Sequence, residues 1–270
     1  MESMAQTTGK AGQLAGRVAI ITGASRGVGA EVARVYAREG ACVVVNYFKS
    51  KEVAETLSAE LNAKHGDKTA VALYGDVTSK EDMVALFARA RDHFGQSASV
   101  VVNNALLNYR FDPSAAATKI ATLDWATVDA QMRGSVLGAV NTTQAALPGF
   151  EVLGYGKVVM IGTNLVYNPV VTYYDYTCAK AALVGLTRNL AAELGPMGVR
   201  VNLIAGGLLE TTDASSLTTP EVFGYVAGVT PLRRPTTVSD FAETTIFFAS
   251  RASDAVTGQC ISVDGGLTMP

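Results

Sequence analysis

Short runs dense in Val and Ile alternate along this chain with longer stretches in which apolar positions recur every three or four residues. The short runs are Arg17 to Thr22, Ala41 to Asn46, Ala70 to Tyr74, Ser99 to Asn103, Lys157 to Ile161, Arg200 to Ile204 and Cys260 to Val263. Apolar on successive residues, they predict strands buried on both faces. The stretches of helical period are Gly27 to Glu39, Lys51 to Lys64, Lys80 to Phe94, Asp124 to Leu147, Tyr176 to Leu194 and Ser239 to Ser250. Strands that need cover on both sides, separated by helices long enough to cross over, predict a mostly parallel sheet wound in both directions. Two stretches break the pattern, Leu106 to Thr122 and the Thr- and Ser-rich Gly206 to Thr219, and long loops inside a compact unit are usually binding elements.

The expected architecture is therefore α/β: a single-domain, Rossmann-like, doubly wound sheet of seven strands with helices on both faces. At 270 residues and 49% apolar side chains the chain can bury one substantial core. That core is expected over residues 15–270, behind a flexible tail of residues 1–14. Ligands of such sheets bind beyond the carboxyl ends of the strands, which gathers Thr22, Asn46, Gly75-Asp76, Asn103-Asn104, Gly162-Thr163 and Ala205-Gly206 around one site.

Composition narrows the partner. A formal charge of -2 with no run of Lys or Arg argues against nucleic acid or an anionic membrane surface and for a small molecule. No apolar run approaches the roughly 18 residues of a membrane span, and Met1 to Gly16 is polar rather than signal-like, so a soluble, cytoplasmic protein is expected. Cys42, Cys178 and Cys260 are too scattered for a disulfide framework or a metal site. His65 and His93 each sit near the end of a polar helical stretch, where a solvated or capping role is the ordinary one.

The chemistry lies in two constellations. Directly after the first strand, Gly23, Gly27 and Gly29 open a helix together with Ser25, Arg26 and Val28. Missing side chains let backbone approach a pyrophosphate, whose charge a helix N-terminus favours. At the end of the second strand a free ribose hydroxyl would call for a carboxylate, yet Asn46, Tyr47, Phe48, Lys49 and Ser50 offer none. Arg26 and Lys49 instead present cations suited to a 2′-phosphate, which predicts NADP(H) over NAD. Further on, Tyr176 and Lys180 stand four apart and share a helix face. A neighbouring ammonium favours phenolate and is expected to lower a pKa that is normally about 10.

With the glycine turn, Asn103-Asn104-Ala105 and Tyr176-x-x-x-Lys180 in this order, the chain resembles the short-chain dehydrogenase/reductase family over essentially Arg17 to Leu267. Within it the 3-oxoacyl-(acyl carrier protein) reductase branch is most similar, judged from Thr22 to Gly27, Asp76-Val77, Val201-Asn202 and Thr257-Gly258-Gln259 leading to Val263-Asp264-Gly265-Gly266. The resemblance implies that Asp76 and Val77 hold the adenine and that Asn103 and Ala105 line the ribose and nicotinamide side. Tyr47, Gly207 and Thr211 complete the cofactor contacts. Tyr176 would be the general acid, Lys180 would grip the nicotinamide ribose, and Thr163 would stand where relatives carry a serine that hydrogen-bonds the substrate carbonyl, with Asn164 beside it. The implied reaction is NADPH-dependent reduction of a 3-oxoacyl-type or cyclic ketone to an alcohol by a homotetramer or dimer.

The chain departs from the pattern at Met132, where relatives carry an asparagine that links the lysine to solvent through water, at Leu106 in place of a glycine, and at Gly206-Gly207 in place of Pro-Gly. These departures leave open an alternative, a lyase or cyclase that uses bound NADP structurally without net hydride transfer. Tyr167, Tyr173 and Tyr174 surround the expected site in sequence and either orient a ring-bearing substrate or pack.

Overall fold

The computed structural model describes residues 12–107, 109, 119–210, 212 and 215–270. Strands β1 (Val18–Ile21), β2 (Cys42–Tyr47), β3 (Ala70–Tyr74), β4 (Val100–Asn103), β5 (Gly156–Thr163), β6 (Val199–Gly206) and β7 (Cys260–Val263) form one sheet in the order β3-β2-β1-β4-β5-β6-β7. All pairings are parallel. Burial on both faces follows from the strand sequences: Ala19 and Ile21 of β1 join the apolar layer that holds Tyr36 and Phe241, while Val18 and Ile20 join the layer of Met83 and Leu86. The chain first builds outward from β1 through β2 to β3, then returns to the other side of β1 with β4. That reversal parts the connections above β1 and β4 and opens a crevice at the carboxyl ends.

Helices α1 (Gly27–Arg38) and α2 (Lys51–His65) cover one face and α3 (Lys80–Phe94) the other. Helix α4 (Trp125–Met132) runs through a π-helical turn, Arg133–Leu137, into α5 (Gly138–Leu153), and α6 (Tyr174–Leu194) packs against α4 and the π turn. Helix α7 (Pro220–Val229) stands over the sheet's end, and α8 (Val238–Ala249) returns to the layer of α1.

Two expectations are corrected. The helix expected to stop at Leu147 continues through Pro148 to Leu153. An interior proline costs about 3 kcal/mol, but Phe150 beyond it is fully buried, worth roughly 1.5–3 kcal/mol, and Gly154 closes the helix at φ 56°. Helix α7 escaped the pattern because Gly224 and Gly228 lower its propensity and none of its residues is buried in the core. Of the residues expected as a tail, Leu14 is fully buried and its N–H donates to the Glu39 carbonyl at 3.0 Å. Residues 1–11 lie outside the described residues.

Candidate active site

The crevice is a cleft of about 1260 Å³, larger than the roughly 300–1,000 Å³ of single-ligand pockets, so two ligands fit side by side. Gly23, Ser25, Arg26, Gly27, Val28, Tyr47, Lys49, Asp76, Val77 and Ala105 line its half above β1, β2 and β3. Gly23 and Gly27 take φ of +61° and +56°, the left-handed region that side chains avoid. Helix α1 starts there with no side-chain cap and no acid in its first turn, leaving backbone N–H groups and the positive end of the helix dipole for an anion. Arg26 donates to Ser50 Oγ at 2.5 Å, and the Lys49 ammonium lies 5.6 Å from the Phe48 ring centre. The Asp76 carboxylate accepts from the Thr78 N–H and hydroxyl, each at 2.8 Å. An uncapped helix end with two cations beside it, and no carboxylate at the end of β2, is a donor set that fits a dinucleotide with a phosphorylated ribose.

Two expected cofactor contacts stand behind this wall. A Cβ on Gly29 would lie 2.6 Å from Asn104 Nδ2 and 2.7 Å from the Gly23 carbonyl, so Gly29 lets α1 close onto the turn. Asn103 donates to Met160 Sδ at 3.3 Å and faces a separate cavity of about 10 Å³ that it shares with Lys180 and Ser135. Thr211 lies outside the described residues. Asn46, read from sequence only as an absent acid, ties three segments together: its Oδ1 accepts from the Gly23 N–H at 3.1 Å and its Nδ2 donates to the Gly75 carbonyl at 3.0 Å.

The reacting groups meet at the cleft's centre. Thr163 ends β5, Tyr176 lies in the first turn of α6, and Lys180 follows one turn later; all three are buried and line the cleft. The Thr163 and Tyr176 side chains are hydrogen-bonded. Lys180 Nζ donates to the Ile161 carbonyl at 2.7 Å and lies 5.7 Å from the centre of the Tyr176 ring. The expected acidic phenol is therefore corrected. Burial pushes Tyr176 up to about 12, against the weaker opposing bond from Thr163, because the ammonium is committed to a backbone carbonyl rather than to the phenol. Burial also pulls Lys180 down to about 8. Two convergent hydroxyls above a buried cation can hold a carbonyl oxygen and deliver a proton to it.

Met132 is half-buried and lines neither cavity. Three residues on, the Ser135 hydroxyl faces the small cavity behind Lys180, buried without a hydrogen-bond partner. The π turn that presents Ser135 is fastened to the loop after β4 by Gln131 Nε2, which donates to the Leu107 carbonyl at 3.1 Å.

Above β5 and β6 the cleft changes character, its wall coming from Leu106, Leu107, Leu165, Val170, Val171, Leu208, Leu209, Leu217 and the α7 residues Val222 and Val226. Asn164 lines it, but its Nδ2 is held by Asp264 Oδ2 at 2.9 Å. A Cβ on Gly207 would come within 2.7 Å of Asp264 Cβ, which explains glycine there. Of the three flagged tyrosines only Tyr173 lines the cleft. Tyr109 went unrecognised because its loop has no periodicity. Its ring stacks on Tyr176 at 4.9 Å and 18°, with Tyr173 edge-on at 6.1 Å.

Among known proteins, the family model described as enoyl-(acyl carrier protein) reductase matches residues 23–268. Oxidoreductase UcpA of Salmonella typhimurium is 34% identical, over 96% of this chain and 97% of the relative. The 3-oxoacyl-[acyl-carrier-protein] reductase FabG of Staphylococcus aureus is 32% identical, over 93% and 98%. The crystal structure of a gluconate 5-dehydrogenase from Burkholderia cenocepacia in complex with NADP and tartrate superposes with a TM-score of 0.83 at 29% identity, over 94% and 96%. Among the described residues no helix is long and apolar enough to cross a membrane.

Proposed function

The chain belongs to the short-chain dehydrogenase/reductase family, and we propose that it reduces a ketone to an alcohol with NADPH, using Tyr176 as general acid. The observation that carries this is the hydrogen-bonded pair Thr163 and Tyr176, set with Lys180 in the same cleft as the uncapped end of α1. NADPH, when bound, supplies the hydride that no side chain can. The chain's part is placement and proton delivery. Thr163 and Tyr176 hydroxyls hold the carbonyl oxygen, Tyr176 gives it a proton, and Lys180 supports the phenolate left behind. A phenol near 12 is protonated at neutral pH, the form that reduction requires. The lyase alternative drew on Met132, which lines neither cavity, and on Leu106, which lines the cleft.

NADPH deuterated at its reactive carbon decides between the two: the reductase reading requires deuterium in the alcohol and one cofactor consumed per product. Product formed with oxidised cofactor alone would overturn it.

The NADP choice rests on Arg26, supported by the NADP complex of the gluconate 5-dehydrogenase. Arg26→Gln is expected to raise KM for NADPH roughly 10- to 100-fold, the worth of a charge-assisted hydrogen bond, and to leave KM for NADH nearly unchanged. Equal losses for both cofactors would remove Arg26 from phosphate recognition.

Lys180 also sets a pH signature. Its folded pKa of about 8 lies below the ordinary 10.5, so between those values the unfolded chain holds a proton that the folded chain has lost. Stability therefore rises with pH from about 8, at on the order of 1 kcal/mol per unit, until Tyr176, raised from 10.0 to about 12, reverses the slope above pH 10. Melting curves of wild type and Lys180→Met between pH 7.5 and 9.5 should show the rise in wild type only, and reductase activity should fall over the same range. A common slope in both proteins would refute the assignment.

The proposal extends to a cytoplasmic homo-oligomer, tetramer or dimer.

A further inference from the structure

The two halves of the cleft differ in chemistry, and the difference bears on what is reduced. Every charged side chain among the described lining residues, Arg26, Lys49, Asp76 and Lys180, belongs to the cofactor half or to the floor between the halves, where Lys180 is bound to the Ile161 carbonyl. The half above β5 and β6 is walled by Leu106, Tyr109, Val171, Leu217, Val222 and Val226. Several of its polar groups are already engaged: Thr212 and Ser215 hydroxyls share a bond of 2.7 Å, and Asn164 Nδ2 is held by Asp264, while the uncharged Thr172 and Thr218 also line it. Thr163 and Tyr176, hydrogen-bonded to each other, stand where this half meets the floor.

From this lining we infer that the substrate is an uncharged, largely apolar, ring-bearing ketone, an inference that rests on the reductase reading above. A carboxylate or phosphate in this half would be desolvated with no cation beside it among the described residues, which is strongly unfavourable. A polyhydroxylated chain would place most of its hydroxyls against the Leu and Val side chains of this wall. An apolar ring gains on both counts, because α7 has no residue buried in the core and its two cleft-lining valines, four apart, have their apolar partner in whatever fills the cleft. Leu217 and Val171 are 48% and 38% exposed, surface that a bulky ligand would cover. Tyr109, flat on Tyr176, and Tyr173, edge-on to Tyr109, make an aromatic wall beside the reacting hydroxyl, which favours a ring over a flexible chain.

Calorimetry with full-length protein saturated with NADP⁺ tests the binding chemistry separately from turnover. The probes are 2-tetralone, its 6-carboxylate and 5-keto-D-gluconate. The expected order is 2-tetralone tightest, with the carboxylate at least about 100-fold weaker, as an unpaired buried carboxylate demands, and the sugar acid undetectable. Val226→Arg, on a helix outside the core, is expected to cut that gap at least about tenfold by supplying the absent cation. Equal affinity for 2-tetralone and its carboxylate, or an unchanged gap in Val226→Arg, would overturn the substrate class. If 2-tetralone binds as expected but NADPH is never consumed with it, the substrate class stands and the reductase reading fails.

Discussion

Tyr176→Phe is expected to lower kcat for ketone reduction by roughly 10²–10⁴-fold, the range for a general acid removed from a preorganised site, while the melting temperature stays within a few degrees of wild type. The ring remains buried beneath Tyr109, and the change deletes only the hydroxyl paired with Thr163. Losing one buried hydrogen bond costs about 1 kcal/mol, so nearly all of the effect falls on turnover. Lys180→Met should lose activity comparably with little or no loss of stability, since it replaces a desolvated ammonium by an apolar chain of similar length. That divergence separates chemistry from folding: a site kept for packing would lose stability first. A Tyr176→Phe enzyme retaining more than a tenth of wild-type kcat would show that another group protonates the product.

The sheet was legible because its central strands bury both faces, and runs such as Val18 to Ile21 and Val100 to Asn103 leave little room for another reading. Helix ends were legible where a local rule set them: Lys80 to Phe94 starts at Ser79, whose side chain accepts the Asp82 N–H, and stops at Gly95 in the left-handed region. Where tertiary packing outweighs the local rule, the sequence misleads, as at Pro148, carried through by the burial of Phe150. The glycine turn and the Tyr176–Lys180 spacing were legible as motifs, but the electrostatics of that pair was not. Four residues of spacing put the two on one helix face; only the fold shows that the ammonium turns to Ile161 and that burial governs the phenol. Tyr109 was invisible for a related reason, since its loop answers to a ligand and carries neither helical nor strand period; Val222 and Val226 have helical spacing, but Gly224 and Gly228 hid their helix.

Asn46 shows the same limit and gives the second large effect: Asn46→Ala is expected to destabilise the fold by roughly 3 kcal/mol, lowering the melting temperature by about 6–12 °C. Read along the chain, it is the residue after a strand where an acid is missing. In the fold it is buried, and one planar amide accepts the Gly23 N–H while donating to the Gly75 carbonyl. Its own backbone carbonyl takes the Ala24 N–H at 2.9 Å. Alanine keeps that last bond and takes both side-chain partners from the Gly23 N–H and the Gly75 carbonyl. Because Gly23 lies in the turn that would cradle pyrophosphate, NADPH affinity should fall with stability, whereas Arg26→Gln should weaken NADPH with the melting temperature unchanged. Asn46→Asp keeps the acceptor for Gly23 but turns a carboxylate oxygen toward the Gly75 carbonyl, so it should destabilise at least as much as alanine. Thermal unfolding of the three variants without cofactor tests the amide clip directly: an Asn46→Ala protein melting within 2 °C of wild type would mean that the turn is held from elsewhere, with the Asn104 Nδ2 bonds to the Thr22 and Gly23 carbonyls the next contacts to remove.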